Sequence, residues 1–166
     1  MKFSISLFVI FVFFPIINFA NTSKAIIFDE KYSFSLILDI ADNFKTRKLG
    51  LMHKKRLDNS NGMIFLFNEQ KIVNMWMKNT FFDLDIIFIN FHTILSIKNG
   101  KKLSTSIISS KKPVNTVIEI PKDCSKKLGL KEGKKIYWKK LENINLKFIK
   151  KKYFHSFPCI EESNNK

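Results

Sequence analysis

The chain has 166 residues and a formal charge of +15, with 29 Lys and Arg against 14 Asp and Glu. That length allows one domain with a real core plus short appendages, and so basic a balance would suit nucleic acid or an anionic surface. Against a nucleic-acid partner, Arg, the preferred reader of phosphates and base edges, occurs only at Arg47 and Arg56. The abundance of Lys, Ile, Asn and Phe is what an AT-rich genome yields, so the charge is discounted as a sign of nucleic-acid binding.

Met1-Lys2 is a minimal positive start, Ser4 to Ala20 is almost unbroken apolar sequence containing Pro15, and no acid precedes Asp29. This is the pattern of an export signal. Cleavage would follow Ala25, with Ser23 two residues earlier, or Ala20. An uncleaved anchor needs roughly 20 apolar residues; this run is borderline and broken by proline, so no stable membrane span is expected after signal removal. No Cys lies near either cleavage point to take a lipid. The expected organisation is a signal peptide over 1–25, a single β-rich domain over 26–138 and a basic extension over 139–166, in a periplasmic or secreted protein.

Tyr32 to Ile40 alternates as a strand, with Phe34, Leu36 and Leu38 on one face. Asp42, Asn43 or Thr46 caps a short helix carrying Leu49 and Met52 on one side, which Gly50 weakens. The turn cluster Asp58 to Gly62 leads into a strand from Met63 to Phe67, and Asn68 to Lys71 form the next turn. A strand then holds Met75, Trp76 and Met77. Phe82 to Phe91 and Thr93 to Lys98 read as a strand pair. Asn99 to Lys112 is polar, with Ile107 and Ile108 to pin it. Val114 to Ile120 is a strand opened by Pro113, Asp123 to Lys127 is one helical turn, and Lys135 to Trp138 is a last core strand. Another strand is possible around Leu146 to Ile149. Many short strands with close turns predict a mainly β protein, a small barrel or sandwich with one or two short helices.

Cys124 and Cys159 could form a bridge that ties the tail to the body, or remain separate thiols; export favours the first. His53, His92 and His155 lie in no recognised context, and no zinc spacing such as CxxC or HExxH exists. No cofactor or metal is expected. Met75 and Met77 share a strand face, which would suit Cu(I), but Met beside aromatics is the commoner core filler.

Polar residues among apolar ones are more telling. In VNMWMKNTFFDLDIIFIN, Asp85 sits at the mouth of an apolar run, and Glu119 interrupts VIEI. Each carboxylate needs a partner, since burying one alone costs several kcal/mol; Arg47 and Lys78 are the candidates for Asp85. Arg47, Lys78, Asn79, Asp85 and Glu119 with a Trp76 wall would make a pocket for a small polar ligand, an envelope component or a partner segment. The competing reading is a buried ion-pair network that fixes strand register.

GLMHKKRL (Gly50 to Leu57), GMIFLF (Gly62 to Phe67), WMKNTFFDLDIIFI (Trp76 to Ile89), PVNTVIEI (Pro113 to Ile120) and LGLKEG (Leu128 to Gly133) occur in the order seen in the family called domain of unknown function 192, which the chain resembles over residues 33 to 138. The resemblance implies a small β-barrel or sandwich domain, often exported, without an established activity. Its signature falls on Arg47, Gly50, Leu51, Met52, Gly62, Met63, Phe65, Phe67, Trp76 to Thr80, Leu84, Asp85 and Glu119. Lys54 stands where the family pattern has Arg, Asp123 where Gly is common, and Lys134 where an Asp follows the Gly. The expected function is a non-enzymatic binding domain of the cell envelope. The alternatives are an envelope hydrolase using Asp85 and Glu119, and a copper-handling protein using Met75 and Met77.

Overall fold

The computed structural model describes residues 23–57, 61–141 and Cys159. The signal segment before Ser23, the strand expected at 146–149 and His155 lie outside the described residues. The order of elements is β1 (Lys24–Asp29), β2 (Ser35–Ala41), α1 (Phe44–Leu49), β3 (Met63–Lys71), β4 (Asn74–Met75), β5 (Leu84–Asn90), β6 (Thr93–Gly100), β7 (Ile108–Ser109), β8 (Val114–Pro121), α2 (Cys124–Lys127) and β9 (Ile136–Leu141). The protein is mainly β, as its short alternating segments predict.

Seven strands form one sheet in the order β6-β5-β8-β3-β2-β1-β9, and β4 pairs with β7 in a separate ribbon. All neighbours in the sheet are antiparallel except β2 and β3. That parallel pair requires a crossover, and α1 with the turns after it supplies one. The sheet curls into a half-barrel whose edges meet: Thr93 bridges Lys135, and Ile136 N donates to His92 O at 2.8 Å.

Period-2 side-chain alternation divides the core in two. The concave face packs Ile27, Leu36, Leu38, Ile64, Ile87 and Ile118 with α2, while the other face packs Leu51, Phe65, Met77, Ile86, Phe88 and Val117. Cys124 and Cys159 form a disulfide on the concave side.

Several segments differ from their sequence reading. β1 as a whole is absent from the sequence reading, which assigns Lys24 and Ala25 to the cleavage end of the leader; both are buried in the strand. β1 therefore begins before residue 26, and β9 runs past 138. β3 continues through the expected turn at 68–71, because a register shift between Leu66 and Lys71 lets the strand bend instead of stopping. β4 is only two residues long: after Met75 the chain turns, Met77 N bonding Ser104 O and Thr80 N bonding Met77 O. Ile108 pins the 99–112 loop by pairing with Met75 in β4 and β7. Leu49 is exposed rather than core-facing; Leu51 takes the buried position.

Candidate functional site

The face of the sheet opposite the concave core carries a cavity between the crossover and the Met75–Thr80 segment. Its floor comes from β3 and β8, which place Phe65 and Glu119 on the same face: Phe65 pairs with Val117 and Met63 with Glu119. One wall is α1. Asn43 caps it through a reciprocal box, Thr46 N donating to Asn43 Oδ1 at 3.0 Å and Asn43 N to Thr46 Oγ1 at 3.2 Å. Gly50 closes the helix at φ 53°, a left-handed position that glycine takes without steric cost. The opposite wall is Met75, Trp76 and Thr80, tied across by His53 N donating to Asn79 O at 2.8 Å.

Two connected spaces result, sharing Arg47, Lys48, Phe65, Met75 and Trp76. The outer vestibule is about 360 Å³, with Phe44, Phe67, Ile72 and Val73 completing its apolar surface and Lys71 at its edge. The inner recess is about 30 Å³, and Glu119 lines it. That is room for about two water-sized groups.

Glu119 is 4% exposed, and no hydrogen bond or ion pair reaches its carboxyl among the described residues. Burial alone pushes it up to about 8, which favours the protonated form at neutral pH. Arg47 and Lys48 line the same recess, yet neither forms a salt bridge with Glu119; the Arg47 side chain is engaged elsewhere. Its guanidinium donates Nη1–H to Leu66 O at 2.9 Å and stands over the Phe67 ring, 5.3 Å from the centroid. One hydrogen bond leaves most of its five N–H donors open. Lys71 Nζ lies 4.9 Å from the centroid of the same Phe67 ring, and Lys78 Nζ lies 5.4 Å from the Trp76 ring.

Of the residues expected from sequence, Arg47, Trp76 and Glu119 therefore converge. Lys78 is exposed at the rim through its stacking on Trp76, and Asn79 is a left-handed turn residue (φ 55°) that contributes its carbonyl to His53. Asp85 is elsewhere. It pairs with Ile120 while Ile86 pairs with Glu119, and directly opposed residues share a face; Asp85 and Glu119 thus project to opposite sides of the sheet. Neither Arg47 nor Lys78 meets Asp85. Its Oδ2 accepts Ser125 N at 2.9 Å and Ser125 Oγ, taking up the start of α2, whose own N-cap, Asp123, makes no side-chain cap.

The sequence reading missed Lys48, Lys71 and Phe67 as neighbours of the cavity, and Gly62 as its support. A Cβ on Gly62, at φ 151°, would lie 1.9 Å from the Glu119 carbonyl oxygen. Only a glycine before β3 lets the chain approach β8 there. It also missed the pairing of Asp39 with Lys24 and with Lys54 Nζ at 2.9 Å. Met77 is fully buried with its sulfur against Gly100, where a Cβ would come within 2.5 Å, whereas Met75 lines the cavity.

A family model described as Uncharacterized ACR, DUF192, matches residues 27–138. Among solved structures, a candidate transcription regulator from Sinorhizobium meliloti 1021 is similar at 32% identity and a TM-score of 0.64, over 70% of this chain and 93% of that one. A protein of unknown function from Novosphingobium aromaticivorans DSM 12444 is similar at 27% identity and a TM-score of 0.61, over 69% of this chain and 84% of that one. No curated protein matches the chain.

Proposed function

Because the chain belongs to the DUF192 family, whose description names no activity, we propose from the cavity itself that this is a non-enzymatic binding domain of the cell envelope, taking a small polar ligand at Arg47, Trp76 and Glu119. One observation carries the reading: a buried carboxyl with no hydrogen-bond partner among the described residues lines a recess whose wall holds a guanidinium that forms no salt bridge and has donors to spare. Leaving a buried polar group unbonded costs about 1–3 kcal/mol. A ligand that bonds both groups recovers that cost on binding. Export is supported by the apolar leader and by the Cys124–Cys159 disulfide, which persists in oxidising compartments. Among the described residues no helix is long and apolar enough to cross a membrane.

The alternatives gain no support. A hydrolase of the two-carboxylate kind needs both acids around one bond, whereas Asp85 and Glu119 stand on opposite faces of the sheet. Cys124 is in a disulfide and is no free thiolate. A copper site at Met75 and Met77 would need the Met77 sulfur, which is packed in the core.

Thermal melting against a panel of small anionic, cationic and neutral metabolites tests the proposal. At least one class is expected to raise the melting temperature of the wild type and to have no effect on Arg47→Met. No shift from any class, with Arg47→Met melting merely at a different baseline, would reduce the cavity to a packing irregularity.

A further inference from the structure

The lining of the cavity is chemically one-sided. Arg47, Lys48 and Lys71 are its cations and Glu119 its single acid. None of the three cations forms a salt bridge with a described carboxylate; each instead stands over an aromatic ring, at 5.3 Å for Arg47, 6.0 Å for Lys48 over Phe44, and 4.9 Å for Lys71. A cationic ligand would enter against three like charges and would find a counter-charge only by ionising the buried Glu119 carboxyl. An anionic one would meet a guanidinium with open donors, whose planar fork suits carboxylate and phosphate oxygens.

The recess adds a second requirement. At about 30 Å³ it admits only a small group, and the group waiting there is the unpartnered Glu119 carboxyl, 4% exposed. A carboxylic acid both donates and accepts a hydrogen bond, so a hydroxyl or carbonyl oxygen is its complement. The vestibule outside is apolar and aromatic, with Phe65, Phe67, Val73, Met75 and Trp76 around about 360 Å³, the size of an ordinary small-molecule site.

Building on the proposed binding function, we propose that the ligand is a small organic anion with a neutral oxygen beside its charged group and an apolar body, as in an aromatic or branched 2-hydroxy acid. The anion meets Arg47 and Lys48, the neighbouring oxygen enters the recess to Glu119, and the body lies against Trp76 and Phe67.

Mandelate, phenylacetate, 2-phenylethylamine and benzyl alcohol are probes that vary one feature at a time, and calorimetric titration reads their affinities. Mandelate is expected to bind at least ten-fold more tightly than phenylacetate, which lacks the hydroxyl, and the amine and alcohol are expected not to bind. Arg47→Met should abolish mandelate binding. Glu119→Gln, which still offers a donor and an acceptor, should retain the preference for mandelate over phenylacetate, whereas Glu119→Met, checked for folding by circular dichroism, should erase it. Tighter binding of the amine or the alcohol would overturn the ligand class while leaving a binding cavity standing. Equal affinities for mandelate and phenylacetate would overturn the role of the recess. No binding by any probe in any charge class, here and in the wider panel, would remove the binding function and this inference together.

Discussion

Asp85 and Glu119 lie one register step apart on neighbouring strands and point to opposite sides of the sheet. Each is buried among apolar residues, at 2% and 4% exposure, yet their circumstances differ. The aspartate is satisfied by the first turn of α2; the glutamate has no hydrogen-bond partner among the described residues. One carboxyl is tied into the fold, and the other is the group on which the proposed binding function rests.

Asp85→Ala should therefore cost stability without touching the cavity. It strips the Ser125 amide and hydroxyl of their common acceptor, and about 2 kcal/mol is expected from a lost buried cap of this kind. Urea denaturation measures the loss. Mandelate affinity should stay at the wild-type value; a parallel loss of affinity would show that the two faces are coupled.

Glu119 should leave a signature in the dependence of stability on pH. Burial holds its folded-state value at about 8, against 4.5 for an unburied glutamate. Below 4.5 both states carry the proton, and this group contributes no slope. Between 4.5 and 8 the unfolded chain has released a proton that the folded protein keeps, so stability falls as pH rises, by up to about 1.4 kcal/mol per pH unit. Above 8 the slope vanishes. Glu119→Gln removes the contribution, so the variant should gain on the wild type progressively across that window in urea midpoints. A constant difference at every pH would mean an ordinary carboxyl.

Asp39 works with the opposite sign. Burial pushes its carboxyl up, but hydrogen bonds and charge from Lys24 and Lys54 outweigh this and hold it below the usual range. Its contribution is present above the ordinary aspartate value and lost as pH falls through the lowered folded one. A chain starting at Ile26 lacks Lys24 and Ala25, which make two of the five pairs of β1 with β2 and two of the six with β9; Asp39 keeps Lys54, so a loss of about 1–3 kcal/mol relative to a chain starting at Asn21 is expected. Equal urea midpoints for the two would show that Lys24 is dispensable.

Gly62→Ala should be among the most damaging single changes. The added methyl would overlap the Glu119 backbone oxygen, and no side-chain rotation can relieve a backbone clash. A loss above about 4 kcal/mol, or failure to fold, is expected, while Gly133→Ala, whose Cβ meets nothing within 4 Å, should lose far less. Similar melting of the two variants would refute the close approach.

Much of the sheet was readable from the chain. Alternation marked β2, and apolar runs of strand length marked β5 and β8, because a half-buried or fully buried strand must write its faces into the sequence. The two buried carboxylates stood out for the same reason. What alternation lacks is the phase between strands. Within β5 or β8 the parity of Asp85 or Glu119 is fixed, but whether they share a side depends on the pairing of Ile86 with Glu119, which no local pattern records. Grouping them in one pocket followed from that gap. β1 escaped because Asn21 to Ala25 reads as the cleavage end of the leader, which leaves only Ile26 to Asp29, and β7 because two residues are too few to show a period.

β1 lies between β2 and β9 and is bonded along both edges, Lys24 opposite Asp39 on one side and Leu141 on the other. Among the described elements, the first strand thus depends on the last. Until the ribosome has delivered the end of the sheet, one margin of β1 has only solvent to bond, and pairing across so long a separation is slow. Until β9 is made, the polypeptide must wait with that margin open, where misplaced neighbours can capture it.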